Sequence, residues 1–284
     1  MSGFVMTGIR RVRGLGIGGS RVGNTLAVVS AVWLAITVVA LLVPGLIGPG
    51  DPTALRPALV FQPPSLENPL GTEQYGRSVY LLLVHGARSA MTVGIAATAI
   101  AVIAGSLIGL VAGYLGGWVD AVIGRMLDVL MSIPGVLLAL LVTASAGSSL
   151  TALIVSVGIA FVAGFARVMR AQVLATRERV YVDAARSVGF SGARILFRHV
   201  LPNAFAPVLG LATVAVGEAI LVASALSFLG LGPRLDVPDW GQLLASGQPF
   251  LVQAWWVSTF AGITISTTVV AVSLLGDWLR DRVE

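Results

Sequence analysis

Six long stretches of this chain are almost uniformly apolar, and its polar positions collect between them. They run from Leu26 to Ile47, Ala90 to Tyr114, Val119 to Ser145, Leu150 to Val168, Ala206 to Leu229 and Val252 to Leu275. Each is close to the roughly 20 residues that a helix needs to cross a bilayer. Backbone groups in hydrocarbon must be satisfied within a helix or a closed barrel, and the runs lack the short alternating pattern of barrel strands. The pattern therefore predicts an all-α polytopic membrane protein with six transmembrane helices. The first run is longer than the roughly 7–15 residues of a signal-peptide core and reads as a retained anchor. Small residues recur through the second (Gly94, Ala97, Ala101, Gly105, Gly109, Gly113), a spacing that lets neighbouring helix backbones approach closely. With no solenoid-length repeat and no low-complexity tract, one domain is expected to cover most of the chain.

Composition agrees with the pattern. Of 284 residues, 56% are hydrophobic and 11% charged, where a soluble domain carries roughly a quarter charged residues. Cysteine is absent, which excludes disulfides, thiolate metal sites and cysteine nucleophiles. The net charge of +5 is carried by arginine alone. In a soluble protein it would suggest nucleic acid, but here the positions of the arginines set topology and no nucleic-acid partner is implied.

The stretch from Arg167 to Arg198 holds seven arginines against Glu178 and Asp183, and Arg10, Arg11, Arg13 and Arg21 precede the first run without an acid. The segments 48–89 and 230–251, by contrast, balance Arg56, Arg77, Arg88 and Arg234 against Asp51, Glu67, Glu73, Asp236 and Asp239. Basic residues stay on the cytoplasmic side. The expected layout is a cytoplasmic tail over 1–25, a six-helix domain over 26–284, external loops over 48–89 and 230–251, a cytoplasmic loop over 169–205, and both termini inside.

That cytoplasmic loop is a polar island. Thr176 is a plausible N-cap with Glu178 in the first turn, and a helix then runs through Asp183, Ala184, Ala185 and Arg186 to a left-handed stop at Gly189. Ser191 can cap a second helix, 192–200, which Pro202 ends. The alanines keep the first helix thin and the arginines offer bidentate donors. From residues alone, two readings stand side by side: a helix that docks in a groove of another protein, and a basic loop lying on anionic lipid.

Other residues carry paired readings. Glu218, near the middle of the fifth run, is either a translocation-path residue or one end of an interhelical hydrogen bond. Arg125 and Asp128, three residues apart, are expected to pair along one helix face. Pro134 either shapes a pore or hinge, or is tolerated for packing alone, with packing favoured. The segment from Asn68 to His85, with Tyr75, Tyr80, Trp240, Trp255 and Trp256 available at the interface, forms either a platform for an external protein or an interfacial anchor. His85 and His199 are the only histidines and fall on opposite sides, so no His-based metal or catalytic cluster is expected. A chain without lysine has no Walker A loop, and Gly14–Gly19 follows no strand, so it reads as a tail rather than a nucleotide fingerprint.

Asp183-Ala184-Ala185, Gly189, Ile195, His199 and Leu201-Pro202 resemble the EAA loop of binding-protein-dependent ABC importer permeases, with Asp where Glu is usual. Asn68-Pro-Leu-Gly-Thr-Glu-Gln-Tyr-Gly-Arg77 and Leu226-Ser-Phe-Leu-Gly-Leu-Gly232 resemble the peptide and nickel subgroup. Trp240-Gly241 and Gly276-Asp277-Trp278-Leu279-Arg280-Asp281 are similar to that subgroup's second permease subunit. At Ala223 the chain departs from the family, which often carries Glu there.

The resemblance implies a type I importer permease fold in a bacterial or archaeal plasma membrane. It implies an ATP-driven importer for peptides or a related solute, in which this chain forms half the pore. The implied partners are a homologous second permease, two cytoplasmic ATPase subunits and an external solute-binding protein, within membrane lipid. This chain would bind no cofactor; the ATPases would use ATP and Mg. Asp183, Ala184, Ala185, Arg186, Gly189, Ile195, His199 and Pro202 would form the ATPase-coupling loop, Glu218 and Pro134 would line the path, and Gly71, Tyr75, Arg77 and Trp240 would belong to the binding-protein platform. Competing classes are an ion-coupled transporter or channel, which needs more intramembrane charge than one Glu, and an intramembrane enzyme, for which no residue constellation can be assembled.

Overall fold

A computed structural model describes residues 21–233 and 236–283. The arginines at 10, 11 and 13, the glycine run 14–19 and Arg234 lie outside the described residues. Eleven α-helices form in order: α1 (Arg21–Leu42), α2 (Pro44–Ile47), α3 (Val79–Leu115), α4 (Gly117–Met131), α5 (Gly135–Ala146), α6 (Leu150–Arg177), α7 (Val180–Ser187), α8 (Gly192–Ile195), α9 (Leu201–Leu226), α10 (Trp240–Gly247) and α11 (Leu251–Val283). Among the described residues, five helical stretches are long and apolar enough to cross a membrane, and the α4–α5 pair makes a sixth span only as a broken one.

That break corrects the expectation of a single third helix with a packing proline. α4 and α5 meet at 85°, and Pro134 is the N-cap of α5 with ψ 128°, outside the helical region. A proline cannot donate the next helical hydrogen bond and clashes with the carbonyl a turn back. Here the chain answers with a corner, and Ser132 and Ile133 return their amides to carbonyls of α4.

The core is built on α3, which packs along α6 and also meets α9 and α1. All six small residues named in the second run are buried. A Cβ on Gly105 would come within 2.7 Å of Phe165 and the Val162 carbonyl, and one on Gly94 within 2.6 Å of Ile220. These glycines let the backbones of α3, α6 and α9 touch, as the spacing predicts. α1 lies outside this core against α11 and α3, tied by Trp33 Nε1 donating to Thr268 Oγ1 at 3.0 Å.

The segment after α2 folds into a cap. Glu73, 1% exposed, accepts from the amides of Tyr75 (2.9 Å) and Arg77 (3.0 Å) and from Arg77 Nε at 3.1 Å. Gly71 (φ 75°) brings its backbone against Trp256, whose Nε1 donates to the Thr72 carbonyl. Trp240 is a correction: it is 2% exposed, with Nε1 donating to the Leu83 carbonyl. Trp256 is also buried, whereas Trp255 is half exposed. The two buried indoles find both an apolar slot and a carbonyl in the core, which offers more than an interface does.

Candidate functional site: the helical elbow

α6 continues to Arg177, so Thr176 lies in its last turn rather than capping the next helix. Arg179 is the N-cap of α7 and makes no side-chain cap bond. Arg177 satisfies the end of α3 instead, donating from Nη1 to the carbonyls of Gly113 (2.9 Å) and Tyr114 (3.3 Å), where the last carbonyls of a helix lack internal partners. The C-terminal ends of α3 and α6 are thereby fastened together.

α7 is amphipathic in a way that separates the two alanines. Val182 and Ala185 are buried against Val173, Ile195 and Val200. Asp183, Ala184 and Arg186 face outward. Asp183 and Arg186 satisfy one another at 3.2 Å, one turn apart. Beside them stand exposed apolar residues that the sequence reading did not single out: Val180 at 85% exposure, Val188 at 76% and Tyr181 at 44%. The signal was present in the mixed polar and apolar pattern of residues 180–188, which is too short to phase from sequence alone.

Gly189 (φ 86°) supplies the expected left-handed turn. Its amide donates to Arg186 O at 3.0 Å, and Phe190 N donates to Ala185 O at 3.1 Å. Ser191 occupies the N-cap of α8 but makes no side-chain cap bond. The Tyr114 hydroxyl donates to Gly192 O at 2.7 Å, pinning the elbow to α3.

Beyond the elbow, Pro202 does not end the helix. α8 passes through a π-turn, Leu196–Val200, directly into α9, with Pro202 in its first turn. The widened turn that precedes it takes up the ring and the bond its missing N–H would have made. The elbow and the fifth long helix are therefore one continuous rod. Ile195 is buried in the cluster beneath α7. His199 sits in the π-turn, its ring 6.2 Å from Phe190 and 6.4 Å from Tyr181, and its Nε2 is buried without a hydrogen-bond partner. His85 lies far away, with Nε2 3.1 Å from Gly48 O.

A polar crevice of about 510 Å³ opens beside α7, lined by Gly116, Asp120, Arg177, Glu178, Asp183 and Arg186 among others. Asp120 in its lining belongs to one of two ion pairs between α4 and α6. Arg170 of α6 grips Asp120 of α4 with two nitrogens, and Arg167 reaches Asp128 at 2.5 Å. The expected Arg125–Asp128 pair is not made; Asp128 instead meets Arg167 of α6, which stands across from it.

Of the remaining candidates, Glu218 is exposed on α9, and no hydrogen bond or ion pair from the described residues reaches it. Pro134 is exposed at the α4–α5 corner. Tyr75 is 42% exposed, with Arg77 5.1 Å above its ring. Gly71 is buried, while Arg77 is tied down by Glu73.

Residues 105–284 match the family described as binding-protein-dependent transport system inner membrane component. A putative peptide transport system permease protein of Brucella suis is 38% identical over 253 residues, 89% of this chain and 85% of that one. The di/tripeptide transport system permease protein DppC of Pseudomonas aeruginosa is 37% identical over 244 residues, covering 84% and 80%. The glutathione transport system permease protein GsiD of Salmonella typhimurium is 40% identical over 221 residues, covering 78% and 73%. Among solved structures, the inward-facing MetNI methionine ABC transporter superposes with a TM-score of 0.58 at 18% identity, over 72% of this chain and 96% of that one. That last likeness speaks for the fold.

Proposed function

We propose, since the chain belongs to the family of binding-protein-dependent transport system inner membrane components, that it imports short peptides as one of two permease subunits, driven through its cytoplasmic elbow. The protein is a transporter membrane subunit and not an enzyme; ATP hydrolysis belongs to separate subunits. The peptide cargo is proposed because the relatives named above carry peptide, di/tripeptide and glutathione in their names.

The observation that carries the coupling role is the continuity of elbow and helix. α7 leans on α6 through Val182 and Ala185, Gly189 turns the chain, and α8, the π-turn and α9 follow without a break. A push on α7 passes into a helix that enters the membrane. The docking face is Val180, Tyr181, Ala184 and Val188, with Asp183 and Arg186 as its polar flank; Ala185, Ile195, His199 and Pro202 belong to the support beneath. Exposed aliphatic residues beside an ion pair suit a protein groove better than a lipid headgroup layer, where basic residues should dominate the face.

The remaining assignments follow in this reading. ATP and Mg are handled by two partner ATPases, and a homologous permease completes the pore. An external solute-binding protein sits on the cap presenting Tyr75, for which Gly71, Arg77 and Trp240 provide the framework. The chain resides in the plasma membrane with both termini cytoplasmic, residues 1–25 as tail, 48–89 and 230–251 outside, and the elbow within 169–205.

Site-directed crosslinking tests this. The chain has no cysteine, so Val180→Cys and Val188→Cys each introduce a unique thiol. Heterobifunctional reagents, with a maleimide for the thiol and an amine-reactive succinimidyl ester, are expected on membranes to join each to a nucleotide-hydrolysing subunit. Adducts with lipid amines alone would defeat the reading.

A further inference from the structure

Between His199 and Arg234, Glu218 is the only ionisable side chain. It lies near the middle of the apolar run 206–229, where an ionised carboxylate costs about 2.5–3.5 kcal/mol on insertion scales. No described residue of the chain offsets that cost.

The direction it faces is narrowly defined. α9 is packed by α3, α6 and α11. Between Ala215 and Ser227 the only exposed positions are Glu218, Leu221 and Ala225, three residues on a single line along the helix. α1, by contrast, exposes Val28, Val29, Val32, Ile36 and Val39, a broad apolar face suited to lipid. Over residues 215–227 α9 is enclosed by its own chain on every side but one line, and intramembrane acids face a bundle interior or a water-filled cavity rather than bulk lipid. Glu218 is thus a single negative charge on the one open line of this half of α9.

We propose that Glu218 receives the primary ammonium group of the cargo during passage. This rests on the peptide-import reading above. Dipeptides, tripeptides and glutathione share one ammonium group, which loses hydration on leaving the binding protein and gains from a charge-assisted hydrogen bond in a low-dielectric path. A carboxylate at this depth favours the amine end and repels the carboxyl end, so it orients the solute as well as holding it. The apolar neighbours Leu221 and Ala225 leave side-chain identity unread.

The complete importer in proteoliposomes, with its binding protein, tests this. Glu218→Gln is expected to lower dipeptide uptake at least tenfold while binding-protein-stimulated ATP hydrolysis stays within twofold, and Glu218→Asp to recover a third or more of the uptake. In parallel, Glu218→Cys is the chain's only thiol. It is expected to react with a water-borne ethylammonium thiosulfonate, read on this chain by mass spectrometry, and to be protected by saturating dipeptide-loaded binding protein. Normal uptake by Glu218→Gln, a thiol that never reacts, or a reactive thiol unprotected by cargo each overturns the proposal. Loss of uptake because the subunits separate on gel filtration overturns it too, marking Glu218 as a subunit joint. If the wild-type complex moves no dipeptide at all, the peptide-import reading itself fails.

Discussion

Arg170 of α6 and Asp120 of α4 meet in a two-point ion pair, with Arg170 Nη2 2.6 Å from Asp120 Oδ2. One turn earlier on α6, Arg167 holds Asp128 through a single contact, in the open. Together with the small apolar cluster of Leu127, Ala163 and Ala166, they bind α4 to α6 even though α4 turns away from α5 at the Pro134 corner.

The two pairs should differ in worth. Arg170 and Asp120 side chains are 33% and 19% exposed, against 49% and 60% for Arg167 and Asp128. Asp120→Asn is expected to cost about 1–3 kcal/mol, toward the lower end because water still screens the pair. Asp128→Asn should cost less than about 1 kcal/mol. Thermal unfolding of the purified chain in detergent would rank them, and equal losses would contradict this account.

Packing along α3 sets a second contrast. A Cβ on Gly109 would collide with the Ala166 carbonyl, backbone that cannot swing aside, whereas one on Gly164, in the middle of α6, meets nothing within 4 Å. Gly109→Ala is expected to destabilise by about 1–3 kcal/mol, as overpacking does. Gly164→Ala should gain up to about 1 kcal/mol by removing glycine's entropy cost in a helix. The same melting measurement decides both signs.

These contrasts show what could be read in advance. The six apolar runs were legible because lipid forces an all-or-nothing choice on every residue, and the small-residue spacing of α3 was legible because it repeats. The ion pairs were not, since Asp120 and Arg170 lie 50 positions apart and local spacing pointed Asp128 at Arg125. The corner at Pro134 was hidden because a proline reads alike in a kinked helix and a broken one. Thr176 and Pro202 misled for a shared reason: both are boundary signals overridden by continuous helix packing below the elbow. Trp240 misled because an indole suits an interface and a core slot equally well by composition.

The elbow gives a functional prediction. Gly189 has φ 86° and open space around it, so any penalty on substitution comes from its backbone alone. A β-branched residue in the left-handed region costs about 1–2 kcal/mol, a factor of roughly 5–30 in the population of the native elbow. Gly189→Val is expected to reduce uptake by that order while ATP hydrolysis continues, and Gly189→Asn, which tolerates the left-handed region, to keep most of it. Paired uptake and phosphate-release assays on the reconstituted importer would check it. Unchanged uptake in the valine variant would remove the elbow from the coupling path.

Between α9 and α11, Asp239 caps α10, its Oδ1 accepting from Gln242 N at 3.0 Å. Burial pushes its carboxyl above the ordinary carboxylate range, partly offset by that hydrogen bond. The sign of the consequence follows from linkage. Folding favours the protonated form, so stability declines as pH rises from the unfolded value of about 3.9 through the raised folded one, and the charged state is carried at a cost at neutral pH. Asparagine caps a helix about as well as aspartate does and has no charge to bury. Asp239→Asn is therefore expected to melt higher than wild type at pH 7, with the gap closing toward pH 4. A variant that melts lower than wild type at pH 7 would mean that the cap needs the ionised carboxylate, through attraction strong enough to outweigh its burial.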